Sequence, residues 1–267
     1  MKFSYLLSVA LSIATSAVFS QTTTEVKVPK AKGAFYLTWG YHWNSYSKST
    51  IHLKDHVSDN YDFTLYHAKA KDQPDMHDLL KTPLTVPQYV LRVGFMFENK
   101  KDLGIEFSWD HLKYVVIDNQ MMHLKGSIHD VYYDKDTVVT PDLVHFEHTN
   151  GNNYAMLSLV KRMIFFEAKH QKLSAMFTAG AGILVPKTDS RVLGNHNDGP
   201  FRYSGIVIGT SAGFRYELFK YFYLEPSLKG AFADYTNAKV YLQGRARHTF
   251  FSAQYILAAG INVPIGR

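Results

Sequence analysis

The chain has 267 residues, 46% of them hydrophobic, 19% charged and 15% aromatic, with no cysteine and a formal charge of +6. Its 18 Tyr, 18 Phe and 3 Trp exclude a disordered tail, and the missing cysteine excludes a disulfide scaffold, thiolate metal sites and cysteine nucleophiles. Beyond the first twenty residues no apolar run approaches the roughly 20 residues that a membrane helix needs.

Residues 1–20 read MKFSYLLSVALSIATSAVFS. Lys2 starts the segment, an apolar stretch runs from Leu6 to Ala17, and Val18 and Ser20 stand three and one before the expected cut. This is the pattern of a secretory signal peptide cleaved after Ser20. A polar periplasmic leader is expected at 21–32. Export without cysteine is compatible with a Gram-negative envelope, where disulfides are permitted but not required.

From residue 35 the pattern has period two. Phe35, Leu37, Trp39, Tyr41 and Trp43 alternate with Tyr36, Thr38, Gly40, His42 and Asn44, an apolar face against a small or polar one. Strict alternation over this length predicts a strand. The texture recurs at 86–98, 103–116, 153–167, 173–186, 203–217, 221–234 and 248–265. Globular strands average about 5–6 residues, whereas strands that cross a bilayer at a tilt need about 9–11. The connections at 45–85, 117–152, 187–202 and 235–247 are the longer ones, and those at 99–102, 168–172 and 218–220 are short. Strict alternation of the two is expected of an up-and-down barrel with short periplasmic turns and long extracellular loops. The expected fold is therefore all-β: an antiparallel transmembrane β-barrel over 33–267. It has eight strands, or ten if hairpins within 45–85 and 117–152 join the wall.

With the apolar parity outward, Leu91, Phe107, Leu157, Leu159, Ile208, Leu228 and Leu257 face lipid, and Trp39, Trp43 and Trp109 form an interface girdle. The inward parity then holds Arg92, Glu106, Ser108, Asp110, Arg162, Arg215, Glu225, Lys229 and Gln254. A charge on the lipid face costs about 2–4 kcal/mol at mid-bilayer, whereas opposite charges in a narrow lumen satisfy one another. Arg92, Glu106, Arg162, Arg215, Glu225 and Lys229 are the expected lumen network. Gly180, Gly182, Gly205, Gly209 and Gly213 share the inward parity. They either relieve bending in a curved wall or make room for the arginines, and bend relief is the favoured reading.

The export signal, the eight alternating segments and the alternating connections together resemble the small outer-membrane barrel superfamily. Its members include OmpA-type, OmpX-like and OmpW-like barrels and two lipid A enzymes, a palmitoyltransferase and a 3-O-deacylase. The resemblance covers the mature chain and rests on pattern. It implies an outer-membrane location, insertion by the barrel assembly machinery, and contact with outer-membrane lipid and lipopolysaccharide. The chain departs from it at its end, INVPIGR, where such barrels usually finish on an aromatic. The deacylase His-x-Ser signature is absent, since Thr149 and Asn150 follow His148. His67, in LYHAKAKD, is only a loose echo of the palmitoyltransferase histidine. A ten-stranded form would resemble the omptin proteases.

Of the 13 histidines, only His170 lies in a periplasmic turn; the others fall in or beside the extracellular connections. His42, His148 and His248 have inward parity at that rim, as does Asp110. Imidazole titrates near neutrality, binds metals and serves as a general base. His148 as base, Asp110 as its orienting carboxylate and Ser108 as nucleophile form the candidate catalytic set. Strand adjacency brings Asp110 towards His148, and His42 towards His248. His42, His248, Arg245 and Arg247 form a candidate lipid- or ion-binding rim. No metal-binding spacing such as HExxH occurs, no cofactor is expected, and no P-loop, Rossmann fingerprint or nucleic-acid module is present. The main functional reading is an outer-membrane barrel with a structural, ligand-binding or lipid-interacting role. The alternatives are a lipid A acyl hydrolase or acyltransferase with a rim site, and a small-solute channel.

Overall fold

The computed structural model describes residues 33–74, 87–97, 102–219 and 221–265, which form strands and turns and no helix. The expected signal peptide (1–20), the leader (21–32), most of the turn at 99–102 and the chain end at 266–267 lie outside the described residues. In chain order the strands are β1 (Gly33–Tyr46), β2 (Ser49–Asp55), β3 (Tyr61–Ala68), β4 (Ala70–Lys71), β5 (Tyr89–Phe97), β6 (Leu103–Val116), β7 (Gln120–Ile128), β8 (Val131–Val139), β9 (Val144–Ala168), β10 (Gln171–Pro186), β11 (Asp189–Val192), β12 (Asn195–Asp198), β13 (Gly205–Leu218), β14 (Phe222–Lys239) and β15 (Arg245–Ile265).

Eight of these close a ring in the order β1, β5, β6, β9, β10, β13, β14, β15 and back to β1. Each neighbouring pair is antiparallel, and β1 closes against β15 from Gly33↔Ile265 to Tyr46↔Ser252. These are the eight segments expected from the alternation. A closed ring leaves no unpaired edge in the wall, as a bilayer core demands.

The outward faces form an apolar band. On β15 it runs through Phe251, Ala253, Tyr255, Leu257, Ala259, Ile261 and Val263; on β9 it includes Ala155, Leu157 and Leu159, the last 71% exposed. So continuous an exposed apolar surface fits hydrocarbon, not water. The aromatic girdle is present. Trp43 stands exposed, and Trp39, Tyr89 and His111 stack across β1, β5 and β6 with ring centroids 4.7 and 5.0 Å apart.

Above the band the same strands continue and their polarity inverts. Outward positions become Thr249, Arg247 and Arg245 on β15, and Thr149, Glu147 and His145 on β9. Inward positions become apolar: Phe250 and Ala246, Phe146 and Val144. The hairpins β2–β3 and β7–β8 pack onto this extension. β2 pairs with the top of β15, from Arg245↔Lys54 to Thr249↔Thr50; β3 pairs with β7, and β7 with β8. They extend the sheet outside the ring, so the wall keeps eight strands and not ten. Ile51, Phe63, Leu65 and Leu124 from the hairpins share one buried apolar cluster with Tyr114, Phe146, Tyr235 and Phe250. A sheet that is apolar on one face must bury it, and here it does so over the barrel mouth.

The inversion corrects three strand ends. β9 begins at Val144 and not 153, β14 runs to Lys239 and not 234, and β15 starts at Arg245 and not 248. Alternation persists in the added stretches of β9 and β15 with its apolar side turned inward, and on β14 a bulge at 236–237 interrupts it, so the pattern of the wall stops where the strand does not. A Cβ on Gly180 or Gly182 would strike the Leu157 or Ala155 carbonyl of β9. Close strand approach in the wall needs these glycines, not the arginines.

Candidate functional site

Three cations and three anions meet inside the wall, all buried. Arg92 donates through Nη1 to Glu225 Oε1 at 2.7 Å, and Arg215 donates through Nε to Glu225 Oε2 at 2.6 Å. Glu106 accepts from the Tyr36 hydroxyl at 2.9 Å and lies 4.0 Å from Arg92 Nε. Lys229 pairs with Asp110, and its Nζ lies 3.5 Å from Ser108 Oγ. The Arg215 guanidinium is clasped between the rings of Tyr36 and Tyr223, 4.5 and 4.1 Å from their centroids. A lone buried charge is costly; paired charges with extra hydrogen bonds and aromatic faces offset that cost. The two tyrosines were missed in the sequence, where only their inward parity marked them. Each ring fills the space left by a glycine, Gly94 facing Tyr36 and Gly260 facing Tyr223. Arg162, expected in this network, stands apart from it and pairs with Asp102 at 2.9 Å, towards the C-terminal end of β9.

His148 and His248 meet Nε2 to Nε2 at 3.2 Å, joining β9 to β15 across the mouth. They are 0% and 3% exposed. Tyr235 stacks on both rings, at 5.0 and 4.4 Å, and Tyr114, Phe146 and Phe250 complete an aromatic cage. His148 Nδ1 also lies 3.1 Å from Thr188 Oγ1. A hydrogen bond between two Nε2 atoms needs a proton on one and a lone pair on the other. Both residues lie on the strand extensions above the apolar band. Burial pushes His148 down to about 3 and His248 well below its ordinary value, and the neighbouring His148 lowers His248 further. The pair is a neutral clamp.

The other rim residues go elsewhere. His42 sits buried on β1, its Nδ1 3.1 Å from Asn44 Oδ1 and its Nε2 3.3 Å from the Tyr89 carbonyl. Asp110 is turned to Lys229, so Ser108, Asp110 and His148 form no nucleophile–base–orienter chain. The neighbour of Ser108 is an ammonium held by Asp110, which has no lone pair to take a proton. Arg245 and Arg247 stand on the outer face of β15. Arg245 Nη1 donates to the Gln243 and Gly244 carbonyls at 3.0 and 2.7 Å, and Arg247 Nε to the Thr236 carbonyl at 3.0 Å.

Most histidines of the hairpins and strand extensions meet carboxylates. His52 pairs with Asp62 at 2.7 Å, His129 with Asp59 at 2.9 Å, His145 with Asp118 at 2.9 Å and His196 with Asp189 at 2.9 Å. His123 bridges Asp134 and Asp136, both at 2.9 Å. His129–Asp59 and His145–Asp118 tie separate elements together, whereas His52, His123 and His196 each pair within their own hairpin. Burial raises the Asp62 carboxyl, but hydrogen bonds from Lys54 and His52 outweigh it and hold it below the ordinary value. Among the described residues no group of three or more His, Asp or Glu is arranged to hold a metal ion.

No protein-family model matches the chain, and no curated protein matches its sequence. Among solved structures the chain is similar to small outer-membrane barrels. The outer-membrane protein AlkL in lipid bilayers shares 12% identity over 93% of this chain and 99% of its own, with a TM-score of 0.37. OprG from Pseudomonas aeruginosa shares 12% over 89% and 99%, with a TM-score of 0.34. Ail of Yersinia pestis, in complex with a heparin analogue, shares 12% over 86% and 99%, with a TM-score of 0.31. The eight-stranded ring is read from the strand pairing itself; the similarity transfers no residue and no activity.

Proposed function

We propose that the chain is an outer-membrane barrel closed to solutes, with its function on the outward and extracellular surfaces, where it binds lipid or external ligands. The observation that carries this reading is the filled interior. Tyr36, Met96, Val160, Met176 and Tyr223 pack at one level, the Arg–Glu network crosses the middle, and the apolar cluster of the extension covers the mouth. A channel for small solutes needs a continuous path that these side chains occupy. Acyl transfer on Ser108, Asp110 and His148 is disfavoured because all three are buried and His148 bonds to His248 and Thr188, not to the other two. Export through a signal peptide, insertion by the barrel assembly machinery and contact with lipopolysaccharide belong to the same proposal. Planar-bilayer recording of the refolded chain tests it. The expected result is insertion without stable conductance; a large, persistent water-filled conductance would overturn the closed-barrel reading.

A further inference from the structure

On the outer face of β14, β15 and β2, directly above the apolar band, cations outnumber carboxylates. Lys239, Arg245 and Lys54 share one cross-strand row, and Arg247 opposes His52 in a row nearer the band. Burial, then the charges of Arg245 and Arg202, push the Lys239 ammonium below its ordinary value, against the opposing charge of Asp55. Lys54 of that row is paired with Asp62 at 2.8 Å; farther away Lys125 pairs with Asp134 at 3.0 Å and Lys187 with Asp198 at 2.9 Å. Among the described residues Lys239, Arg202, Arg245 and Arg247 make no ion pair, and Asp234, outward on β14 nearer the band, pairs with none of them. Like charges held together repel, and a bound anion relieves that repulsion.

Below them the lipid-facing wall carries a groove of about 830 Å³. Its floor is a cross-strand row of small residues, Ala179, Thr210, Gly230 and Ala253, and its upper ridge includes the opposed rings of Phe232 and Phe251, 4.9 Å apart. Gly230 is the informative position. At the other strand glycines an added Cβ would collide with or press on a neighbour; at Gly230 it would meet nothing within 4 Å. The packing of the wall does not require glycine there, and glycine weakens a strand. The missing side chain leaves room for something outside the wall. Arg247 stands six residues from Ala253 along β15, a span of about 20 Å at the strand rise. At a barrel tilt that is about 15 Å of depth, half the ~30 Å hydrocarbon core.

We infer that this face holds a phosphate-bearing lipid of the outer leaflet, its phosphate on Lys239, Arg202, Arg245 and Arg247 and the far part of an acyl chain in the Gly230 groove. The inference rests on the membrane orientation proposed above. Guanidinium forks match phosphate oxygens in pairs, and the depth between cations and groove is that of one leaflet.

The test uses the full refolded chain in phosphatidylcholine nanodiscs doped with diphosphoryl lipid A, with retained lipid counted by native mass spectrometry. Wild type should retain diphosphoryl lipid A at least tenfold over its dephosphorylated form. Lys239→Ser/Arg245→Ser/Arg247→Ser should lower retention tenfold or more, whereas Lys48→Ser/Lys69→Ser, which removes charge elsewhere, should leave it unchanged. Gly230→Leu, which has open space for its side chain, should lower retention about fivefold with no loss of charge. Folding of each variant is checked by heat-modifiable migration, and Arg247→Gln supplies a milder change if the triple variant does not fold. Equal retention by wild type and the folded Lys239→Ser/Arg245→Ser/Arg247→Ser variant (or Arg247→Gln where the triple does not fold), or no preference for the phosphorylated lipid, would overturn the inference. So would competition by free pyrophosphate at the same concentration, because the site would then read phosphate alone. A change in oligomeric state in Gly230→Leu, with lipid retention intact, would make the groove a protein interface and overturn the acyl assignment. Insertion without conductance but also without lipid retention would sink this inference and leave the closed barrel standing.

Discussion

Within the wall, β15 turns Tyr255, Leu257 and Ile261 outward and Gln254 inward. In the extension above the band the same strand turns Arg245 and Arg247 outward and Ala246 and Phe250 inward. The ladder to β14 runs through both regions, with one register shift between Tyr235 and Ala238. The backbone is therefore indifferent to the change, and the surroundings decide it. Hydrocarbon outside the wall gives apolar side chains no reason to hide, so the charged ones retreat to the lumen and neutralise one another. Water outside the extension restores ordinary burial, and the hairpins complete a core of Phe63, Leu65 and Phe146. Two packing rules thus operate on one continuous sheet.

The comparison breaks most severely at the centre of each region. Glu225→Gln leaves Arg92 and Arg215 without the anion between them, which costs about 3–5 kcal/mol. The folded, heat-resistant band on electrophoresis should disappear. Phe63→Ala empties a fully buried site in the extension and also costs about 3–5 kcal/mol, but that loss should stay local. Hydrogen exchange should rise in β2, β3 and β7 while wall amides remain protected. Equal loss of protection in both regions would show that wall and extension unfold as one unit.

A pair of outward substitutions sharpens the boundary. Leu159→Arg places a charge in the band and should cost about 2–4 kcal/mol in a vesicle unfolding titration. Thr249→Arg, on the outward face above the band, should stay within about 0.5 kcal/mol. A comparable cost for Thr249→Arg would move the membrane boundary above it.

Acid separates the regions in another way. His148 and His248 have lowered values in the fold and ordinary values near 6.5 when unfolded. The unfolded extension therefore binds more protons. Its stability is full above about pH 6.5 and falls as pH drops below that, by up to about 1.4 kcal/mol per pH unit for each ring. Hydrogen exchange of the extension between pH 7.5 and 5, corrected for intrinsic rates, should show the loss. His148→Leu/His248→Leu should flatten it. Asp62 falls in a different window, because a depressed carboxyl loses its contribution only as pH drops below about 3.9. A small and local effect is expected at Asp55, which accepts from the backbone N–H of Val57 and Ser58 at 2.9 and 2.8 Å. Asp55→Ala should cost about 1 kcal/mol, read as a modest rise in exchange confined to the β2–β3 turn.

The strands of the wall were legible because a period of two is a local property, and Phe35 through Trp43 display it without help from any neighbour. The inward placement of Arg92, Glu106, Arg215, Glu225 and Lys229 followed from the same parity. The partners did not. That Lys229 takes Asp110, leaving His148 to His248, depends on which side chains reach across the lumen. Strand adjacency alone pointed to Asp110 with His148 and to His42 with His248. Lys239 was hidden inside an expected loop, and Gly230 looked like any other strand glycine until its empty surroundings were seen.

The sequence by itself determined a β-barrel of long strands, eight or ten in number, the outward face of each strand, and a lumen carrying opposed charges. These follow from alternation and length, which are written residue by residue. Tertiary structure decided that the hairpins at β2–β3 and β7–β8 lie above the ring, where polarity inverts along β9, β14 and β15, and that two distant histidines clamp the mouth. It also brought four unpaired cations over one groove. Each of these is a relation between residues far apart in the chain, set by register and by which solvent lies on either side of the sheet. The opening composition, 46% hydrophobic and 19% charged, averages over two regions that bury opposite halves of it.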